Sequence, residues 1–179
     1  TVLRNPNYQT ALAEAKIPYI VGHDAFGDLV IEDLAKFPHL LLGGSTNSGK
    51  TVGLQALIAS IAYTKSPSWV NFILIDAGAT DLLVFEKLPH LSCPIVQNRT
   101  MTARTLNALI SEMERRITLE HSNILEFLLL PRLVVVIDEF PALFLGIEKT
   151  EKQFIIDSIS SLLQRGRHAK IHLVLAAQN

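Results

Sequence analysis

One octapeptide, Gly44-Ser45-Thr46-Asn47-Ser48-Gly49-Lys50-Thr51, constrains this chain more than any other stretch. It satisfies G-x-x-x-x-G-K-[ST] at every fixed position, follows a short apolar run from His39 to Leu42, and opens a helix-period stretch from Lys50 to Tyr63. A loop of this pattern curls until successive backbone N–H groups converge on phosphate oxygens, and Gly44 and Gly49 supply the backbone freedom for the curl. The whole octapeptide is therefore expected to cradle the phosphates of ATP. The following helix adds the positive end of its dipole, Lys50 reaches the β- and γ-phosphates, and the Thr51 hydroxyl is a candidate Mg²⁺ ligand. The competing account, a Gly/Ser-rich turn that matches by accident, leaves the preceding strand and the following helix unexplained.

From Pro38 onward, short apolar runs alternate with longer helix-period stretches, the pattern of parallel strands joined by crossover helices. The fold class is α/β, with a mostly parallel sheet flanked by helices. Expected strands are His39 to Leu42, Val70 to Ile75, Pro94 to Val96, Leu133 to Ile137 and Ile171 to Leu175. Expected helices run near Lys50 to Tyr63, Thr102 to Leu119 and Thr150 to Gln164. The last of these carries Phe154, Ile155, Ile159, Leu162 and Leu163 at core-facing spacing. Before Pro38, Ile17 to Gly22 and Asp28 to Ile31 read as a β-hairpin around a turn at Asp24 to Gly27, preceded by a short helix over residues 8–15. The organisation expected is a leading helix and hairpin over 1–37 and a nucleotide-binding core over 38–179. The core has an abrupt end at Asn179, which leads us to expect further elements. Residues 123–131 are unusually apolar for a connection, and a loop absent from the numbering would account for that.

A second acidic motif follows. Leu133-Val134-Val135-Val136-Ile137-Asp138-Glu139 is an apolar strand ending in two carboxylates, as expected of a Walker B element. Asp138 is the candidate for the Mg²⁺ shell, and Glu139 for orienting or deprotonating the attacking water. The plainer account makes Asp138 a helix cap and Glu139 a solvated first-turn residue before Pro141.

With 49% hydrophobic residues, 179 residues suffice for one substantial core. The formal net charge of −1 announces no polyanionic partner, and the 16 Lys and Arg form no stripe. Cys93, the single cysteine, rules out an internal disulfide, and the lack of a Cys/His cluster argues against structural zinc. A reducing, cytoplasmic setting fits, with any membrane attachment supplied by segments outside this chain. The six histidines are expected in structural roles, Trp69 and the eight phenylalanines in the core, and Met113 to Arg116 on an exposed helix surface.

With both motifs placed, the chain resembles the FtsK/SpoIIIE family of hexameric DNA-pumping ATPases over almost its whole length. The matching text includes Val21-Gly22-His23-Asp24, Asp33 to Leu41, Phe72-Ile73-Leu74-Ile75-Asp76, Leu88-Pro89-His90-Leu91, Glu112-Met113-Glu114-Arg115-Arg116, Asp138-Glu139-Phe140 and Ile171 to Gln178. The resemblance implies a RecA-like P-loop NTPase domain, an ATPase that assembles into a ring, a hexamer, around double-stranded DNA. It also implies that Gln178 is a polar sensor at a strand tip and that Arg167 is offered to the γ-phosphate of a neighbouring subunit. Catalytic candidates are thus Lys50, Glu139, Arg167 and Gln178. For Arg167 an alternative stands: with Arg165, His168 and Lys170 it would complement a helix C-terminus. One departure is Ala77-Gly78-Ala79 after Asp76, where the family usually carries Pro-Lys or a similar pair, and contacts from that loop are in doubt. The function expected is ATP-driven translocation of duplex DNA, in chromosome segregation at cell division or in conjugative transfer. Two alternatives remain, a type VII-like protein secretion ATPase and a regulatory nucleotide-binding module.

Overall fold

The apolar residues of each strand divide by parity, and that division builds the molecule. The computed structural model describes residues 9–10, 14–45, 49–77 and 80–178. Thr46, Asn47 and Ser48 of the octapeptide lie outside it, as do Tyr8 and 11–13 of the helix expected over 8–15. The hairpin forms as expected. Strands β1 (Pro18–His23) and β2 (Leu29–Asp33) pair antiparallel. In the turn, the Asp24 carboxylate accepts the Phe26 and Asp28 N–H groups at 2.9 Å each, a local bond that short acidic side chains favour.

Strands β3 (His39–Gly44), β4 (Val70–Asp76), β5 (Arg132–Asp138) and β6 (Ile171–Gln178) form a four-stranded parallel sheet in the order β3-β6-β5-β4. Helices α1 (Lys50–Thr64), α2 (Arg99–Ser122), α3 (Ile124–Leu129) and α4 (Lys149–Arg165) connect them. Odd-numbered strand residues Ile73, Ile75, Val135, Ile137, Leu173 and Leu175 bury against Leu106, Leu109 and Met113 of α2 and Ile155, Ile159 and Leu162 of α4. Even-numbered Phe72, Leu74, Val134, Val136, Val174 and Ala176 bury against Leu54, Leu57, Ile58 and Ile61 of α1. Hairpin-side residues Ile17, Tyr19 and Leu34 belong to this second cluster. Strands β4, β5 and β6 are covered on both faces and need no polar alternation, which is why each reads as a continuous apolar run, whereas Leu41 of the edge strand β3 is 68% exposed. Each buried aliphatic side chain contributes about 1.5–3 kcal/mol of transfer free energy, before the entropy of ordering it is subtracted.

Local signals set the ends of the helices. Asn98 caps α2 by accepting the Met101 N–H at 2.9 Å, and Asn123 both terminates α2 and caps α3, accepting the Glu126 N–H at 3.3 Å. After α4 the chain turns so tightly that a Cβ on Gly166 would lie 2.4 Å from the Leu162 carbonyl oxygen. No other residue fits there.

Several expectations need correction. Pro94 to Val96 is not a strand: only Leu91 opposite Phe72 and Val96 opposite Ile75 bridge to β4. The register slips by two residues between those bridges, and Pro94, which lacks an N–H, sits within the slip. Residues 123–131 hold the short helix α3 rather than a plain connection. On α4, Phe154 and Leu163 are each 38% exposed, so the buried stripe is narrower than the spacing suggested. Trp69 is 46% exposed and Phe26 91%, whereas Phe72 and Phe127 are buried. The helix text Met113 to Arg116 is only half on the surface. Met113 and Arg116 are buried, while Glu114 and Arg115 are exposed.

Candidate active site

Parallel register brings the carboxyl ends of the strands to one rim. Gly44 at the end of β3 stands opposite Gln178 at the end of β6, and Asp76 opposite Asp138. In open α/β sheets this is the edge at which ligands bind. Helix α1 starts there from Gly49, whose φ of 86° lies in the left-handed region that glycine tolerates. Lys50, the first helical residue, is thereby aimed across the rim at β5.

Lys50 Nζ lies 2.8 Å from Asp138 Oδ1 and 3.2 Å from Glu139 Oε2. Its side chain is 5% exposed and that of Asp138 2%, so this is a buried charge cluster rather than a surface pair. Burial works against the ammonium charge, yet the hydrogen bonds and charges of the two carboxylates outweigh it and hold the Lys50 pKa above its ordinary value. Glu139 also accepts the Gln178 backbone N–H on Oε1 at 3.3 Å. Four of the candidate residues, Lys50, Asp138, Glu139 and Gln178, are therefore brought together.

Glu139 occupies this place on an unfavourable backbone. Its φ of 51° and ψ of 50° are left-handed, a conformation that disfavours a residue with a Cβ by about 1–2 kcal/mol. The strand cannot continue because Pro141 follows in the 3₁₀ turn Phe140–Phe144, and the Glu139 N–H folds back onto Asp138 Oδ1 at 2.9 Å. Neither plainer account from the sequence describes this geometry: Asp138 ends a strand in an ion pair, and Glu139 is tied to Lys50.

Thr51 Oγ1 donates to Asp81 Oδ2 at 3.1 Å, and Asp81 is a residue the sequence reading missed. It carries no motif, and only the packing of the loop after β4 on α1 reveals it. The oxygen donors of this rim, the Thr51 hydroxyl and the Asp138 carboxylate, suit Mg²⁺, a hard cation that keeps several waters and shares its coordination with substrate phosphates. Among the described residues, no three His, Cys, Asp or Glu side chains form a metal-holding group by themselves.

Arg167 is not part of this rim. It is exposed and precedes β6, at the amino end of the sheet. The eight residues of β6 put about 26 Å between that end and the rim. Arg167 therefore lies apart from the Lys50, Asp138 and Glu139 cluster of its own chain. The helix-complement account holds for Lys170, whose Nζ donates to the Phe127 and Leu128 carbonyls at the end of α3 at 2.7 and 3.0 Å, but not for Arg165, which pairs with Glu114.

Comparison with known proteins follows the same lines. The FtsK/SpoIIIE family model matches residues 2–126 and 121–179, two pieces that meet at the junction of α2 and α3. DNA translocase FtsK of Pseudomonas aeruginosa is 33% identical over 212 residues, covering 99% of this chain and 25% of that protein. DNA translocase FtsK of Borreliella burgdorferi is 35% identical, covering 91% of this chain and 22% of the relative. The chain thus spans about a quarter of the length of these relatives. Among solved structures, the cytoplasmic domain of the type VII secretion ATPase EccC of Thermomonospora curvata superposes with a TM-score of 0.78 at 30% identity, over 92% of this chain and 21% of that one. The monomer form of the pCW3 conjugation coupling protein TcpA with ATPγS shares the fold at a TM-score of 0.74 and 24% identity, over 97% of this chain and 50% of that one. A P-loop strand and helix facing an Asp-Glu strand tip, in a sequence matched almost end to end, place this chain in the FtsK/SpoIIIE family.

Proposed function

We propose that this chain is the nucleotide-hydrolysing core of a motor that moves double-stranded DNA. The observation that carries the reading is the cluster of buried Lys50 and Asp138 with half-buried Glu139, where α1 begins at the rim. In this reading the octapeptide, Thr46, Asn47 and Ser48 included, binds the phosphates of ATP. Lys50 exchanges its carboxylate partners for phosphate oxygens, a substitution of one set of anions for another that keeps its charge compensated. That exchange releases Glu139 to accept a proton from the attacking water, and Gln178, whose backbone already touches Glu139, senses the bound phosphate. Thr51 and Asp138 hold Mg²⁺, which neutralises phosphate charge when bound.

The position of Arg167 supports a ring, here read as a hexamer. In this reading Arg167, about 26 Å from its own site, is offered to the γ-phosphate of a neighbouring subunit, which would make hydrolysis depend on assembly. Duplex DNA as the substrate comes from the FtsK relatives, which are named as DNA translocases, and either chromosome segregation at cell division or conjugative transfer would use such a motor. We read residues 1–37 as a lead-in and 38–179 as the motor core. No helix among the described residues is long and apolar enough to cross a membrane, and we assign this part to the cytoplasm, with any membrane attachment elsewhere in the protein. The likeness to EccC supports the second reading, a secretion ATPase acting on protein.

Steady-state ATP hydrolysis by the full-length protein, with and without long duplex DNA, tests the proposal. We expect stimulation by DNA, and a loss of about a hundredfold or more in Lys50→Ala and Glu139→Gln. Hydrolysis indifferent to DNA would favour the secretion reading, and no hydrolysis by the assembled protein would sink both.

A further inference from the structure

The hydroxyl of Thr51 is oriented by a side chain that no motif marks. Thr64, Thr102 and Thr118, on α1 and α2, donate their protons to the carbonyls of Ser60, Asn98 and Glu114, four residues back, the usual arrangement on a helix. Thr51 donates instead to a carboxylate, Asp81 Oδ2, at 3.1 Å. Asp81 is fixed from two directions. Its carbonyl accepts Gln55 Nε2 at 2.9 Å, one helical turn beyond Thr51. The next residue, Leu82, is buried and donates its N–H to Asp76 Oδ2 at 3.2 Å, at the end of β4. The loop after β4 is thus fastened both to the sheet and to α1, with one carboxylate resting on the Thr51 hydroxyl.

We infer that Asp81 is a positioning residue for the metal of this site, acting through Thr51; the inference rests on reading Gly44–Thr51 as a nucleotide loop. A hydroxyl has one proton and two acceptor lone pairs, and it can ligate a cation only through the lone pairs. A carboxylate that takes the proton fixes the rotor, leaves the lone pairs for the metal and makes the oxygen more basic. Partners of this kind are worth about 10- to 100-fold in metal affinity. The loop that departs from the family pattern at Ala77-Gly78-Ala79 therefore still contributes to the site, through Asp81.

The test is a MgCl₂ titration of the full chain with the N-methylanthraniloyl derivative of ATP, read by fluorescence, beside binding in EDTA. Asp81→Ala should raise the half-saturating Mg²⁺ about 10- to 100-fold and leave affinity in EDTA unchanged. It should add nothing to the effect of Thr51→Ala. Asp81→Asn, whose amide oxygen still accepts the proton, should fall between Asp81→Ala and the wild type, and answers the question if the alanine variant does not fold. Unchanged Mg²⁺ dependence overturns the inference. So does an equal loss of affinity with and without Mg²⁺, the mark of a purely structural tie. A wild-type chain that binds the probe without any response to Mg²⁺ overturns the nucleotide-site reading itself, and this inference with it.

Discussion

Glu139 and Lys170 carry the same unfavourable backbone at opposite ends of neighbouring strands, and they are held there by different partners. Among the described residues they are the two non-glycines with positive φ, 51° and 56°. Glu139 leaves β5 at the carboxyl rim, and its contacts are Lys50 and the Gln178 N–H, both groups of the candidate site. Lys170 enters β6 at the base, and its ammonium caps the Phe127, Leu128 and Leu130 carbonyls at the end of α3 and lies over the Phe127 ring. The base strain is balanced by contacts with no ligand in prospect. The rim strain is balanced by contacts that an entering phosphate would replace. Strain by itself does not mark a site; what holds it does.

Arg116 extends the contrast and carries the largest expected effect on stability. Its guanidinium, 3% exposed, donates to Glu112 at 2.7 Å and to the Pro131 and Ala169 carbonyls at 2.8 and 3.2 Å. With Arg115 also bonded to it, Glu112 is held down to about 2. Arg116→Ala should lower unfolding free energy by about 3–5 kcal/mol in a urea titration, because buried acceptors lose their donor, while nucleotide affinity stays unchanged. Impaired binding with unchanged stability would break the division between base and rim.

His172 comes next. Its Nδ1 lies 3.2 Å from the Pro38 carbonyl, its Nε2 is buried without a hydrogen-bond partner among the described residues, and His39, Arg132 and Asp33 bear on it electrostatically. Burial, against the Pro38 bond, pushes the imidazole down to about 4 from 6.5. The folded state thus holds this group neutral where the unfolded chain would protonate it. Stability is present above pH 6.5, is lost as pH falls towards 4 and is flat below that. The full span is about 3 kcal/mol, and His172→Gln should flatten it in unfolding curves taken between pH 4 and 7.

The smallest effect concerns the strained residues themselves. At a left-handed position glycine should be more stable than alanine by about 1 kcal/mol, the reverse of the order inside a helix or strand. Glu139→Gly should therefore exceed Glu139→Ala in thermal stability, and Lys170→Gly should exceed Lys170→Ala. Only the Glu139 pair should lose hydrolysis. Loss of hydrolysis in the Lys170 pair would show that the base is coupled to the site.

Most of the fold was legible because doubly covered strands leave uninterrupted apolar runs. Val70–Asp76, Arg132–Asp138 and Ile171–Gln178 each begin where the sequence placed them or one residue earlier. What was missed depends on neighbours distant in sequence. Pro94 to Val96 has strand composition but no regular ladder, and Arg116 looks like a surface charge until the ends of α3 and α4 close over it. Asp81 is the sharpest case in the site. Its partner Thr51 lies thirty positions away, and no spacing rule connects a loop carboxylate to a helix hydroxyl.

By itself the sequence determined the chemistry on offer: a phosphate-shaped loop, an acidic strand tip, and uninterrupted apolar runs that call for strands covered on both faces. Those are local properties, written in backbone freedom, side-chain charge and period. Tertiary structure decided which charges meet. Register alone set Gly44 against Gln178 and Asp76 against Asp138, and helix packing carried Lys50 to Glu139 and Asp81 to Thr51. The same packing held Arg167 at the far end of the sheet from its own loop. Such contacts join groups separated by tens of residues, and only the folded chain supplies the distances on which their electrostatics depend.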